Sequence, residues 1–228
     1  LAGRWGVLLG QLAAVVPLVK SIQTYGFTMV YPGRRVNSSL LSTGTCRRPS
    51  AYTGKRRGGE TMRFTQDYDR KAAVLYAHQW AFGRNPAFYD YENLGGDCTN
   101  FASQCIFAGS GVMNFTPTFG WYYIDANQKA PAWTGVPYLW NFLTRRGPSV
   151  GPVGESCALE DLRPGDLIQL SFKGTEFQHS PMVVSVEYPI TPENILVAAH
   201  SYDADNRPLS TYEFRQSRFL HITGTMRP

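Results

Sequence analysis

The chain has 228 residues, room for one sizeable core or for a domain of about 150 residues with an appendage. Its net charge of +5 is unevenly spread: residues 1–61 hold nine Lys and Arg against Glu60 alone, and from Met62 onward 16 acidic residues outnumber 13 basic ones. The mildly acidic body has no basic stripe that could track phosphates, so nucleic-acid binding is excluded. Four cysteines (Cys46, Cys98, Cys105, Cys157) make no disulfide framework in a chain this long. No CxxC, HExxH or phosphate-cradling glycine motif occurs, so no metal or cofactor is expected.

Taken in order, residues 5–19 are apolar but too short to span a bilayer comfortably, and no small-x-small cleavage site follows. Residues 30–61 lack either hydrophobic period and read as disorder. Lys55 to Glu60 can be encoded by a purine run like a bacterial ribosome-binding site, with Met62 just after it. The expectation is therefore a disordered or non-native extension over 1–61 and a domain over 62–228. A signal role for 5–19 implies a secreted or wall-associated protein; a start at Met62 implies a cytoplasmic one.

From Met62 the pattern becomes regular. Asp67 is placed to cap a helix running to about Phe82, with Ala72, Leu75, Tyr76, Gln79 and Trp80 on its apolar face. Gly95-Gly96 marks a tight turn, and a second helix runs from Cys98 to about Ala108, closed by Gly109 and Gly111. A third spans Val136 to Arg146, with Pro137 in its first turn. Strands follow at Leu167–Phe172, His179–Val186, Ile195–Ser201 and Phe219–Thr223. Helices first and strands after give an α+β fold with helices on one side of an antiparallel sheet.

The chemical signal is Gly95-Gly96-Asp97-Cys98-Thr99-Asn100-Phe101. A cysteine in the first turn of a helix meets the positive end of the helix dipole and free N–H groups, which favour a thiolate and can hold an oxyanion. A helix-packing cysteine is the alternative, but such a position has no use for two glycines ahead of it. Asp97 is expected to cap the helix with its side chain. Cys105, nearly two turns on, reads as buried and inert, Cys157 as a loop thiol, His78 as a surface residue and His221 as structural.

Tyr68–Ala77 and Gly95–Cys105, with Trp121-Tyr122-Tyr123 and the Pro164-Gly165-Asp166 turn, resemble the bacterial putative amidase domain family over roughly Asp67 to Phe219. That family is related to the papain-like NlpC-type and CHAP cell-wall hydrolases. The resemblance implies a papain-like fold, Cys98 as nucleophile, His179 on the first strand of a following hairpin as base, and a polar residue on the next strand to orient it. It also implies Tyr89 and Tyr91 as lining residues, grouped with Asp97 and Trp121 as substrate contacts. If the hairpin turns around Pro189 to Pro192, paired residues have numbers summing to about 380, which sets His200 or Ser201 opposite His179. His200 is the first choice for orienting residue and Asp203 the second.

The expected function is hydrolysis of an amide or peptide bond through an acyl-enzyme on Cys98, by a monomer acting on peptidoglycan or a peptide. Two rivals stand beside it. One is a non-catalytic glycan-binding module using the aromatics Trp121, Tyr122, Tyr123 and Trp133. The other is an acyltransferase with the same dyad.

Overall fold

The computed structural model describes residues 63–65 and 68–228. The expectations for residues 1–61, for a start at Met62 and for Asp67 as a cap fall outside them. The elements run β1 (Arg63–Thr65), α1 (Arg70–Trp80), α2 (Cys98–Ser110), α3 (Pro131–Thr134), α4 (Val136–Leu143), β2 (Gly151–Cys157), β3 (Leu167–Ser171), β4 (Met182–Val186), β5 (Ile195–Ala199), β6 (Ala204–Pro208) and β7 (Gln216–Arg227). The fold is α+β: helices precede a sheet whose strand pairs are all antiparallel.

β7, last in sequence, lies inside the sheet. It pairs with β2 on one side and with β3 and β1 on the other, and the order continues β3-β4-β5-β6. β3 is buried along its whole length because both faces are covered. Ile168 and Leu170 join Val183, Ile195 and Val197 in an apolar cluster closed by Leu209 and Tyr212. Gln169 points the other way, and its Nε2 donates to the Val136 carbonyl at 2.8 Å where α4 begins.

Side chains that the sequence periodicity cannot weigh move several element ends. α1 is capped by Asp69, whose carboxylate accepts from Ala72 N at 2.9 Å. Its buried face is Ala73, Tyr76 and Ala77, and Leu75 is 54% exposed. The cause is Arg70, whose guanidinium reaches Asp166 and the Ile222 carbonyl and so sets the rotation of the helix. α4 ends at Leu143, three residues before Arg146, and the turn α3 precedes it. β2 and β6 are additional: Gly-Pro-Val-Gly-Glu-Ser-Cys and Ala-Asp-Asn-Arg-Pro show no alternation, and each is held as a strand by its partner. Cys157 thus ends a strand rather than sitting in a loop. Among the described residues no helix is long and apolar enough to cross a membrane.

Candidate active site

α2 begins at Cys98 because the two residues before Asp97 adopt a backbone that only glycine takes freely. Gly95 and Gly96 have φ of 100° and 102°, and a Cβ on Gly96 would meet Ser201 Oγ at 3.0 Å. Ser201, itself left-handed at φ 59°, is thereby brought over the start of the helix, and its Oγ accepts from Asp97 N at 2.8 Å. The first helical bond runs from Phe101 N to Asp97 O, which leaves the N–H groups of Cys98, Thr99 and Asn100 without helical partners.

Each residue of the motif then has a separate task. Cys98 is 6% exposed, and its Sγ lies 3.8 Å from the Gln178 carbonyl and 3.8 Å from Thr99 Oγ1. Thr99 Oγ1 donates to Ser180 Oγ at 3.2 Å, tying the cysteine's helix to the residue after His179. Asn100 donates to Asp97 Oδ1 and the Tyr89 carbonyl and accepts from Trp133 Nε1 at 2.8 Å. Phe101 stacks on His200 with centroids 4.0 Å apart.

Cys98 and His179 line one cleft of about 640 Å³, together with Gln178, Phe172, Tyr212, Arg207, Glu92, Gly95, Gly96 and Ser201. His179 reaches this place through a backbone bridge to Leu170, ahead of β4. Its imidazole packs between Phe172 and Tyr212, centroids 6.1 and 5.6 Å away, and makes no side-chain hydrogen bond among the described residues. Burial, helped by the Arg207 charge, lowers its pKa to about 4. Burial also raises the Cys98 thiol above its ordinary value. Contacts from Thr99 and the Ser180 backbone oppose the rise and the Asp97 carboxylate adds to it. Burial thus works against the thiolate expected from the helix terminus, pushing the Cys98 thiol up while it pushes the His179 imidazole down.

His200 and Asp203 do not orient His179. The register expectation itself is met, since Met182 pairs with Ala198 and Val183 with Val197. But β4 starts only at Met182 and β5 ends at Ala199, so the ladder stops before His179. His200 instead sets Nδ1 against Asp97 Oδ2 at 2.5 Å and Nε2 against the Trp80 carbonyl at 2.8 Å. Asp203 holds Arg84 with both oxygens, at 2.9 and 3.0 Å.

The expected substrate contacts move as well. The Asp97 carboxylate makes no helix cap; it serves His200, Tyr91 N and the Asn100 side chain and is fully buried. Trp121 is fully buried, stacks on Phe142 and donates to Ser103 Oγ at 3.0 Å. Trp133 is also fully buried and Tyr123 is 3% exposed, so these three are core, while Tyr122 is partly exposed and stacks on Phe115. Tyr91 is buried with its hydroxyl on the Ala126 carbonyl, and Tyr89, 46% exposed, packs edge-on against it; neither lines the cleft.

Gln178, Arg207 and Tyr212 line the cleft and were missed in the sequence. The register that placed His200 could have extended to β6, where Arg207 lies opposite Val197, but Ala-Asp-Asn-Arg-Pro gives no strand signal from which to start. Among the described residues no group of three or more His, Cys, Asp or Glu side chains is arranged to hold a metal.

A family model described as the putative amidase domain matches residues 67–223. The chain belongs to the putative amidase domain family. The match takes in α1, the glycine turn, the cleft and most of β7, so the whole site lies inside the family's domain. Over 142 residues the chain is 34% identical to the uncharacterized protein YhbB of Bacillus subtilis (strain 168), covering 61% of this chain and 43% of that protein. The chain thus spans less than half the length of this curated relative. No solved structure gives a significant match.

Proposed function

We propose that this member of the amidase domain family is a cysteine-dependent amidase of the papain-like type, with Cys98 as nucleophile and His179 as general base. One observation carries the reading: a helix-initiating cysteine and a buried, neutral histidine line one cleft, and the Thr99–Ser180 hydrogen bond holds their two segments together. With the thiol raised and the imidazole low, attack and proton transfer go together. The Cys98 sulfur adds to the substrate carbonyl as its proton passes to His179, and the oxyanion meets N–H groups at the start of α2 that have no helical partner. The imidazolium then returns the proton to the departing amine as the C–N bond breaks, leaving a thioester. Water, deprotonated by His179, releases the acid and restores the thiol.

In this scheme Phe172 and Tyr212 fix the ring angle of His179, a task the sequence reading gave to a polar partner. His200 acts one step back as a positioning residue. It hydrogen-bonds the Asp97 carboxylate and so holds the turn from which Cys98 projects. Following the resemblance to wall hydrolases, peptidoglycan stem peptides and cross-bridges are the first substrates to try.

Mass spectrometry of peptides and purified wall fragments incubated with the full chain should show new amine and carboxyl ends, and Cys98→Ala should abolish them. Cleavage surviving in Cys98→Ala would overturn the mechanism. Adding a primary amine separates hydrolysis from transfer, because an acyltransferase would give the amide of the added amine in place of the acid.

A further inference from the structure

The cleft carries a cation that the fold does not neutralise. Arg207 sits in β6 and lines the cleft with His179. Its Nε donates to Thr211 Oγ1 at 2.7 Å and its Nη2 to the Thr211 carbonyl at 2.9 Å, while Thr211 Oγ1 donates to the Pro208 carbonyl at 2.8 Å. The guanidinium lies over the Tyr212 ring, 3.9 Å from its centroid. The side chain is thus fixed in advance, and the rotamer entropy of immobilising an arginine is not charged to a ligand. Among the described residues no carboxylate forms an ion pair with Arg207, and Nη1 has no hydrogen-bond acceptor.

The other charges in the cleft leave this one standing. Glu92 accepts from Ser201 Oγ at 3.0 Å and lies 3.7 Å from Arg84, so it already has a cation. Glu213 lines the cleft without an ion pair to any described residue. Clamping the 208–212 turn needs hydrogen-bond donors but no charge. A forked, planar cation lining the cleft, with Nη1 lacking an acceptor among the described residues, is the shape that receives a carboxylate. One ring links it to the reacting pair, since Tyr212 lies 3.9 Å from the Arg207 guanidinium and 5.6 Å from the His179 ring.

We propose that Arg207 is a specificity site for a substrate carboxylate, so that the enzyme prefers amides bearing a carboxylate close to the scissile bond. The inference rests on the reading of Cys98 and His179 as the reacting pair. The carboxylate belongs to an acidic side chain or to a free chain terminus, and the assay separates the two. Neutral amides of the same shape lose the charge-assisted bonds and leave the guanidinium facing water.

Two measurements test it. The first needs no substrate: the rate at which iodoacetate modifies Cys98 is divided by that for iodoacetamide, with glutathione as the reference thiol. The full chain should favour the anionic reagent over the reference. Arg207→Gln should lower the ratio about threefold or more, Arg207→Lys should keep most of it, and salt at about 0.5 M should compress it in the unaltered protein. The salt series also stands by itself if Arg207→Gln does not fold. The second compares kcat/KM on peptide pairs that differ only as Glu against Gln, or as a terminal carboxylate against its amide. The full chain should prefer one carboxylate type by about tenfold, and Arg207→Gln should lose that preference mainly through KM, lowering kcat/KM on the carboxylate partner far more than on the neutral one. An alkylation ratio insensitive to both salt and Arg207→Gln overturns the carboxylate site. A shifted ratio with no peptide cut by any form overturns the hydrolase reading and leaves the anion site standing.

Discussion

Three aspartate–histidine contacts in this molecule differ in burial and in surroundings. Asp97 and His200 are both enclosed, with 1% of each side chain exposed, and meet at 2.5 Å beside the candidate nucleophile. Asp166 is wholly enclosed, but its His221 is 19% exposed, and Arg70 shares the carboxylate at 2.7 Å. That carboxylate also accepts from Arg163 N and Ile222 N, joining a turn, β7 and α1. Asp205 and His78 meet at 2.7 Å on the surface, 17% and 35% exposed. One pair of residue types thus serves as a buried support of the turn before Cys98, as a latch between elements and as a surface contact. What separates them is how many other groups the carboxylate serves and whether an arginine is hydrogen-bonded to it.

That last point orders the expected effects. Asp166→Ala should be the most costly change, about 3–5 kcal/mol by chemical denaturation. It strands Arg70, which cannot shed its proton, and leaves two backbone donors unpaired. Alkylation of Cys98 in the molecules that remain folded should be unchanged. If Asp97→Ala proved more destabilising, the argument from the stranded arginine would fail.

His179, which has no carboxylate at all, sharpens the contrast through pH. Its folded-state pKa of about 4 lies below the ordinary 6.5, so the unfolded chain binds the extra proton between those values. Stability present above pH 6.5 should therefore decline as the pH falls toward 4, by about 3 kcal/mol in all, and change no further from this group below that. Denaturation curves at pH 7 and 4.5 should show the decline, and His179→Gln should remove this share of it.

His200→Gln should cost less, about 1–2 kcal/mol, and slow iodoacetamide at Cys98 several-fold, because the Asp97 carboxylate, which raises the neighbouring thiol, loses its 2.5 Å hydrogen-bond partner. The double change Asp97→Asn with His200→Gln should recover the alkylation rate but not the stability. A purely structural His200 would show no such recovery. The smallest effect belongs to the surface pair: His78→Ala should shift stability by less than about 0.5 kcal/mol in a thermal melt.

Much of the local order could be read from the residues alone. The two glycines, the helix opening at Cys98 and the hairpin register are local matters, fixed by allowed backbone angles and by where a turn falls. The role of His200 was not legible for the same reason that its position was. Register says which residue stands opposite, but not where the ladder stops or which buried carboxylate waits nearby. Asp97 was read as a cap because capping is the local use of an aspartate before a helix, and a partner 103 positions away outbids it. Trp121 and Trp133 look alike in sequence whether they fill a core or face a sugar. Arg207 was hidden because β6 is a strand only by virtue of β5.

The place of β7 bears on how the chain is made. β1 and β2 have no other strand partner among the described residues, and β3 keeps one edge unpaired until β7 arrives. A chain leaving the ribosome must therefore carry β2 as an open edge from Cys157 until Gln216 and the residues after it are available. Helix α2 and the β4–β5 hairpin can form in that interval from nearer contacts, whereas the pairing of β2 with β7 closes a loop of some sixty residues and comes late. Shielding that edge during synthesis falls to short, glycine-containing and charged sequence: Gly151, Gly154 and Glu155 in β2 make a poor template for a stray strand.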